Sequence, residues 1–515
     1  MQTSTNLLPK PLSKRTRLDA KAHSVQTKAP FGINSSSSNN NNNNNNRKMA
    51  VRRRGAAFAV LLATNLGAAR VSAFHNRHHH RPHTPPDAGN PTAARRRSGF
   101  GASATTLPSR LSYAIDVQEH CPRDVPTMEA WVYECGVQGS GGLRLVGEAD
   151  ETNHEDYSLS TEEDIPANSP VLYVPSEMVL SAQRAMEEFG QLEESEKLIT
   201  SLNAESELRH YYLMVKILVE WERGMDSPWY PWLNSLPRYF SNAASMTPFC
   251  YKCLPSLMSI LAMKERANMN HLMIKKVPFL SVETRGNADL WAWAYNVVYT
   301  RSFEANNGSG DLCIAPMADY FNHGTETEVE MGYDAEGNCH VQTTRDVPAG
   351  SPLRMSYGDP TNPSFLLARY GFLDESSPAT FCKYIPPHVN DELREMGYAH
   401  NRMLFFKDTG DASEEVWDVL LHQILSSSNI AKKRALYKAH LDGDYDTKRM
   451  LHEQYYSQTS LKLMEHIDTF LNQLDDLSAK SVGKDVNEHP RLPLILKHNE
   501  FVRNTFLAVR SRYFE

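Results

Sequence analysis

A block of helical periodicity at residues 177–300 lies between two regions that read as short strands, and this interruption constrains the fold more than any other feature of the chain. Within the block, apolar residues recur at three- and four-residue spacing, as in Tyr211, Leu213, Met214, Ile217, Leu218 and Trp221 and again at 290–299. Before it, residues 131–146 alternate and carry Gly136, Gly139, Gly141 and Gly142, a pattern of short strands joined by tight turns. An acidic stretch at 148–163 reads as a loop, and a turn at 164–169 leads into a buried strand at 170–175 bounded by prolines. After the block, strands return at 312–316, 328–333, 339–344 and 352–357, with 334–338 as a hairpin loop. From 388 to 515 the periodicity is helical, as in 414–425 and 461–477. The expected fold is therefore α+β: short strands with a helical insertion at 177–300, then an all-helical C-terminal domain at 388–515.

Charge divides the chain unevenly. Residues 1–110 hold 18 Lys and Arg against Asp19 and Asp87, a net of +16, which leaves 36 basic and 59 acidic side chains and a net of −23 on the remainder. An acidic body repels a phosphate backbone and attracts basic protein segments, so no nucleic-acid partner is expected. The seven cysteines (Cys121, Cys135, Cys250, Cys253, Cys313, Cys339, Cys382) are scattered and odd in number, which excludes a disulfide scaffold. Cys250 and Cys253 have zinc-knuckle spacing but no second Cys or His pair at the usual interval, and no metal is expected.

Residues 1–110 read as an address. Asparagine repeats at 39–46 bury too little to form a core. Met49 then opens a second start, with Arg52, Arg53 and Arg54, an apolar run at 55–69, and Val71, Ser72 and Ala73 as a cleavage site, the order of a secretory signal at 49–73. The stretch 74–110 is rich in Arg, His, Ser, Thr and Pro with one acid, a transit-like composition. Together they resemble the two-part presequence of algal plastids with extra membranes, given translation from Met49. A basic tail, with 9–17 as a nuclear signal, is the alternative, leaving cytoplasm or nucleus open.

Two segments bear on chemistry. The first is PMADYFNHG at 316–324; the second is MSYG at 355–358, followed by Asn362, Phe365 and the run Tyr370, Gly371, Phe372. An Asn-His pair after a strand, then a Tyr-Gly ending another strand, resembles the two signature segments of SET domains. The likeness extends to the branch of the Rubisco large-subunit lysine methyltransferase through Gly141-Gly142-Leu143, the turn and strand 164–175, SPWYPWLNSLP at 227–237, and the helix end Thr300, Arg301, Ser302, Phe303. It covers nearly all of 128–515, with 128–384 as the catalytic domain and 388–515 as a helical substrate-binding domain. The acidic insertion 148–163 and Ser169, where relatives often carry Glu, depart from the pattern.

The resemblance implies an S-adenosylmethionine-dependent protein methyltransferase. By that resemblance Arg301 pairs with the donor carboxylate, Asn322 holds its amino end, His323 meets the adenine through its backbone, and Gly142 and Val171 complete the cofactor contacts. Tyr357 is the implied catalytic residue, and Asp319, Tyr320, Phe303, Tyr370 and Phe372 are implied on the substrate side. Taken singly, Arg301 also reads as a surface ion pair and His323 as a core histidine. Transfer is an in-line displacement, so alignment of nitrogen, methyl and sulfur is what the residues must supply. The implied partner is a protein presenting a lysine, met by a monomer with no membrane contact in its mature form.

The acceptor needs its own argument, because one relative methylates a histidine of actin. That relative carries Asn just after the counterpart of Arg301 and Trp just before the counterpart of Asp319; here those positions are Ser302 and Ala318. Without an amide to hold an imidazole and an indole to wall it in, a lysine fits better. A noncatalytic binding module is a further reading, although it would be expected to lose Tyr357 or Asn322.

Overall fold

The computed structural model of the chain describes residues 115–149, 155–384 and 386–514, so the expectations for 1–110 lie outside the described residues. Before the first α-helix of the insertion, which starts at Ala182 rather than near 177, come β1 (Gln138–Gly139), β2 (Leu143–Ala149), β3 (Glu155–Thr161), β4 (Pro170–Val174) and β5 (Leu180–Ser181). After the insertion come β6 (Phe303–Glu304), β7 (Leu312–Ile314), β8 (Asn322–His323), β9 (Val329–Tyr333), β10 (Cys339–Thr343), β11 (Arg354–Met355), β12 (Ala379–Phe381) and β13 (Leu404–Phe406).

The insertion is closed over by strand pairing. β4 takes β1 on one side and β10 on the other, giving a sheet of order β1-β4-β10-β9, and β5 joins β7 and β6 in a second sheet. Both therefore pair strands from opposite sides of the helical block. Val171, Leu172 and Val174 are buried, as a central strand requires. Within the block the helix Leu208–Arg223 buries Tyr211, Leu213, Met214, Ile217, Leu218 and Trp221 and packs against the helix Ala288–Arg301, whose last residue points the chain back into the strands.

Four details differ from the sequence expectation. Residues 131–134 belong to the helix Val125–Glu134, because Val125, Met128 and Val132 form a buried stripe and Asp124 caps the helix by accepting from the Thr127 amide. The acidic stretch is not a loop: most of it forms the antiparallel pair β2 and β3, with Leu145 opposite Leu159. At 352–357 the expected single strand is divided: Pro352 bridges antiparallel to Ser160 of β3, and Arg354 and Met355 pair parallel to β8. The C-terminal region is helical except for β13, which pairs with β12 across the 384–388 boundary.

One core runs from Ile115 to Met355 and a second fills the C-terminal helices, where Leu463, Ile467, Phe470 and Leu474 of the helix Tyr445–Ser481 meet Val502, Phe506 and Val509 of the helix Leu492–Phe514. A third joins Cys250, Cys253 and Met258 to Leu367, Leu492 and Ile495. Both cysteines are thus packed among apolar side chains, and no cluster of ligands able to hold a metal is found among the described residues. Among these residues no helix is long and apolar enough to cross a membrane.

Candidate functional site

The parallel pairing of β8 with β11 builds the site. It sets Asn322 beside Arg354 and His323 beside Met355, so the chain leaving β11 delivers Tyr357 onto β8. The Tyr357 amide donates to His323 Nδ1 at 3.1 Å, and the Tyr357 hydroxyl donates to the Phe321 carbonyl at 2.7 Å. Around the Tyr357 ring stand Tyr370 at 4.8 Å, His323 at 5.6 Å, Phe303 at 5.9 Å and Phe372 at 6.2 Å between centroids. Burial pushes the Tyr357 hydroxyl well above the ordinary phenol range, so it remains a donor at any physiological pH.

His323 accepts on Nδ1, so its proton sits on Nε2, which lies 3.5 Å from the Asp374 carboxylate. Burial lowers the His323 pKa against the pull of Asp374, which keeps the ring neutral. The side-chain amide of Asn322 makes no hydrogen bond among the described residues and is half-buried. Its polar atoms are available to a ligand.

Arg301 occupies the last turn of the helix Ala288–Arg301, with its side chain 12% exposed, which rules out a surface ion pair. Its Nη1 donates to the Asp319 carbonyl at 2.9 Å and to Asp319 Oδ2 at 3.0 Å, while Nε and Nη2 have no hydrogen-bond partner among the described residues. Burial disfavours the guanidinium charge, but Asp319 and Tyr320 outweigh it and raise the Arg301 pKa. For Asp319 burial is the larger effect and raises its carboxyl, with Arg301 and Trp232 pulling the other way. The contact is that of a buried ion pair in which Arg301 keeps its charge.

Asp319 and Tyr320, expected on the substrate side, are both buried against Arg301. The Asp319 carboxylate is fully buried, held by Arg301 and by Trp232 Nε1 at 3.2 Å, and its Oδ1 has no partner. Tyr320 lies in the core with its hydroxyl on Ser235 at 3.0 Å and its ring 4.9 Å below the Arg301 guanidinium. Both form the bed on which Arg301 rests. The turn that carries them starts from Met317, a buried non-glycine residue at φ 72° and ψ −47°, a strained conformation of the kind found at functional sites.

Gly142 and Val171 have local packing roles. A Cβ on Gly142 would lie 2.8 Å from the Glu163 amide nitrogen, so the residue is needed for close backbone approach. Val171 buries its side chain and accepts the Ser140 amide at 2.8 Å. Four residues of this neighbourhood escaped sequence reasoning. Trp232 lies inside the quoted 227–237 segment, whereas Asp374, Arg123 and Tyr157 gave no signal, since their place depends on tertiary pairing. Arg123 stacks 4.6 Å above the Tyr157 ring of β3, and β3 packs on the 318–320 turn.

No family model matches the chain. Among curated proteins it is similar to SET domain-containing protein 4 of Artemia parthenogenetica, 26% identical over 190 residues that cover 34% of this chain and 47% of that protein. It is 22% identical over 272 residues to the actin-histidine N-methyltransferase of Danio rerio, covering 48% and 42%. It is also 24% identical over 230 residues to a ribosomal lysine N-methyltransferase of Schizosaccharomyces pombe, covering 43% and 40%. The chain thus spans less than half the length of the curated relatives it matches. Among solved structures, Rubisco LSMT bound to AdoMet aligns at 17% identity and a TM-score of 0.49, covering 76% of this chain and 91% of that one.

Proposed function

We propose that this chain, which resembles SET-domain proteins of the Rubisco methyltransferase branch, is an S-adenosylmethionine-dependent protein methyltransferase acting on a lysine of a non-histone protein. One observation carries the reading: the Tyr357 hydroxyl sits on the Phe321 carbonyl inside a nest of aromatic rings, one residue along the chain from Asn322, whose side-chain amide is uncommitted. The residues suit the donor. Arg301 keeps Nε and Nη2 for a carboxylate, Asn322 keeps its amide for the amino end, and the backbone at His323 is the expected adenine contact. When bound, the donor supplies a methyl group activated by a sulfonium.

The chain's own residues prepare the acceptor. A free lysine has a pKa near 10.4, so roughly 1% or less is neutral at pH 8. Tyr357, Tyr370, Phe372 and Phe303 exclude water and disfavour the ammonium, which lowers that pKa. With its proton committed to Phe321, the Tyr357 oxygen has lone pairs left to accept an amine N–H and hold the nitrogen in line with the methyl.

Ser302 and Ala318 argue for lysine over histidine, since neither offers an amide or an indole to an imidazole. The helices of 388–515 are the proposed dock for a folded partner. Residues 49–110 are the proposed plastid address, which makes Rubisco large subunit or aldolase a candidate acceptor. Incubation of the chain with tritiated donor and protein extract, followed by acid hydrolysis, tests the chemistry. Label is expected in methyl-lysine. Label in methyl-histidine overturns the acceptor, and absence of both label and donor binding overturns the methyltransferase reading.

A further inference from the structure

The hairpin of β2 and β3 is the part of the chain that departs from the family pattern, and it reaches the site. Beyond its ladder, β3 continues alongside the segment that leads to Tyr357: Gly350 donates to the Thr161 carbonyl at 2.7 Å, the Thr161 amide donates to Ser351 at 3.1 Å, and Leu353 donates to Leu159 at 2.8 Å. This antiparallel run carries Tyr157 and Asp156 toward the end of the strand where Tyr357 stands.

Tyr157 is pinned from two sides. It lies opposite Gly147 in the hairpin register, and a Cβ on Gly147 would fall 2.8 Å from Tyr157 Cε1. The missing side chain lets the ring lie across β2. On the ring sits the Arg123 guanidinium, 4.6 Å from the centroid, in a cation–π contact. Arg301 makes the matching stack on Tyr320 at 4.9 Å, in the turn against which β3 packs. Through the packing of β3 on that turn the two stacks belong to one neighbourhood; burial is the main cause of a lowered Arg123 pKa, Tyr320 opposes the shift and Arg301 adds to it. A second positive charge in the neighbourhood of Arg301 strengthens its attraction for an anionic group.

We infer that the β2–β3 hairpin is a ligand clamp, in which Tyr157, seated on Gly147, is the positioning residue that holds Arg123 beside Arg301 so that both guanidiniums face the carboxylate end of the donor. The inference rests on the reading of the site as a donor site. It assigns the acidic insertion a binding role and makes donor affinity depend on a ring that touches no reacting atom.

The test is calorimetry of the full chain with S-adenosylmethionine and S-adenosylhomocysteine. Tyr157→Ala removes the ring, and Gly147→Val pushes it aside by the short contact noted above. Both should weaken both ligands about tenfold, while Tyr157→Phe, which keeps the ring, should bind like the wild type. Thermal unfolding of each variant separates a lost clamp from a lost fold. Equal affinity of wild type and Tyr157→Ala overturns the clamp and leaves the donor site intact. Weakening by Tyr157→Phe as large as by Tyr157→Ala also overturns it, because the ring would then not be the active part. Absence of ligand binding by the wild-type chain overturns the donor-site reading and the clamp with it.

Discussion

Replacing Lys383 by Met should stabilise the protein, and the gain should depend on pH. Lys383 is buried in the segment after β12, at φ 57°, with its Nζ 2.8 Å from Ser364 Oγ. Ser364 in turn lies 3.0 Å from His498 Nε2 on the C-terminal helix Leu492–Phe514, so the three side chains join the two parts of the body without a carboxylate. Burial lowers the Lys383 pKa to about 7 and that of His498 to about 3. For Lys383 the unfolded chain, with a lysine pKa near 10.4, binds one more proton than the folded chain between about pH 7 and 10.4. Stability therefore rises with pH across that window, and the cost is complete and flat below it. A fall to about 7 corresponds to roughly 4–5 kcal/mol at pH 6 to 7. Loss of the Ser364 hydrogen bond offsets about 1 kcal/mol, and Met fills nearly the same volume, so a net gain of about 3 kcal/mol is expected at pH 6. The assay is urea unfolding of wild type and Lys383→Met followed by circular dichroism at pH 6, 7.5 and 9.5. The gap should shrink steadily toward pH 9.5. A variant less stable than wild type at pH 6, or a gap that ignores pH, would refute the reasoning.

Three further outcomes are expected. Tyr357→Phe should lower single-turnover methylation about a hundredfold with little change in donor affinity, because its hydroxyl is proposed to act in the transition state; normal turnover would remove Tyr357 from the chemistry. Asp319→Asn should cost about 3 kcal/mol of stability, measured by urea unfolding, and weaken the donor, since it leaves the buried Arg301 without its counterion; unchanged donor binding would show that Arg301 needs no carboxylate to stay in place. Gly371→Ala should destabilise by about 3 kcal/mol or more, because Gly371 ends a helix at φ 85° and a Cβ there would lie 2.5 Å from the Asn242 amide nitrogen; an unfolding midpoint near wild type would contradict that contact.

Legibility in the sequence followed the range of the interaction. The strands at 170–174, 329–333 and 339–343 were readable because alternation, prolines and a hairpin loop are local signals, and they appear where expected. The hairpin of β2 and β3 was hidden because its alternation of Leu145, Tyr157 and Leu159 is thin among the five acidic side chains of 143–161. Residues 131–134 were misread because the helical stripe that claims them begins at Val125, ahead of the glycines that suggested turns. In the site, Asn322, His323 and Tyr357 announced themselves as a spaced pair of motifs. The service of Asp319 to Arg301 did not, since an acid and a base 18 positions apart meet only through the strained turn at Met317.

The helical insertion is tied into the site rather than appended to it. Arg301 closes its last helix, and two residues earlier Tyr299 stacks on Tyr295 at 4.1 Å and on His210 at 4.3 Å. Arg369 lies 4.6 Å over Tyr299 and reaches Glu265 at 3.1 Å, while Tyr295 donates to the same carboxylate at 3.3 Å. Arg369 directly precedes Tyr370, whose ring packs on Tyr357. One buried network thus spans the helices Ser256–Leu272, Ala288–Arg301 and Pro363–Tyr370. Loss of the Glu265 carboxylate would leave the Arg369 guanidinium without its counterion, next to Tyr370 in the chain, whereas Tyr299 keeps its bond to Glu207 and its stacks on Tyr295 and His210. A buried carboxylate more than 30 positions from either Tyr370 or Arg301 is thus joined to the helices that carry them through Arg369 and Tyr295, and in a close-packed interior those helices do not shift independently.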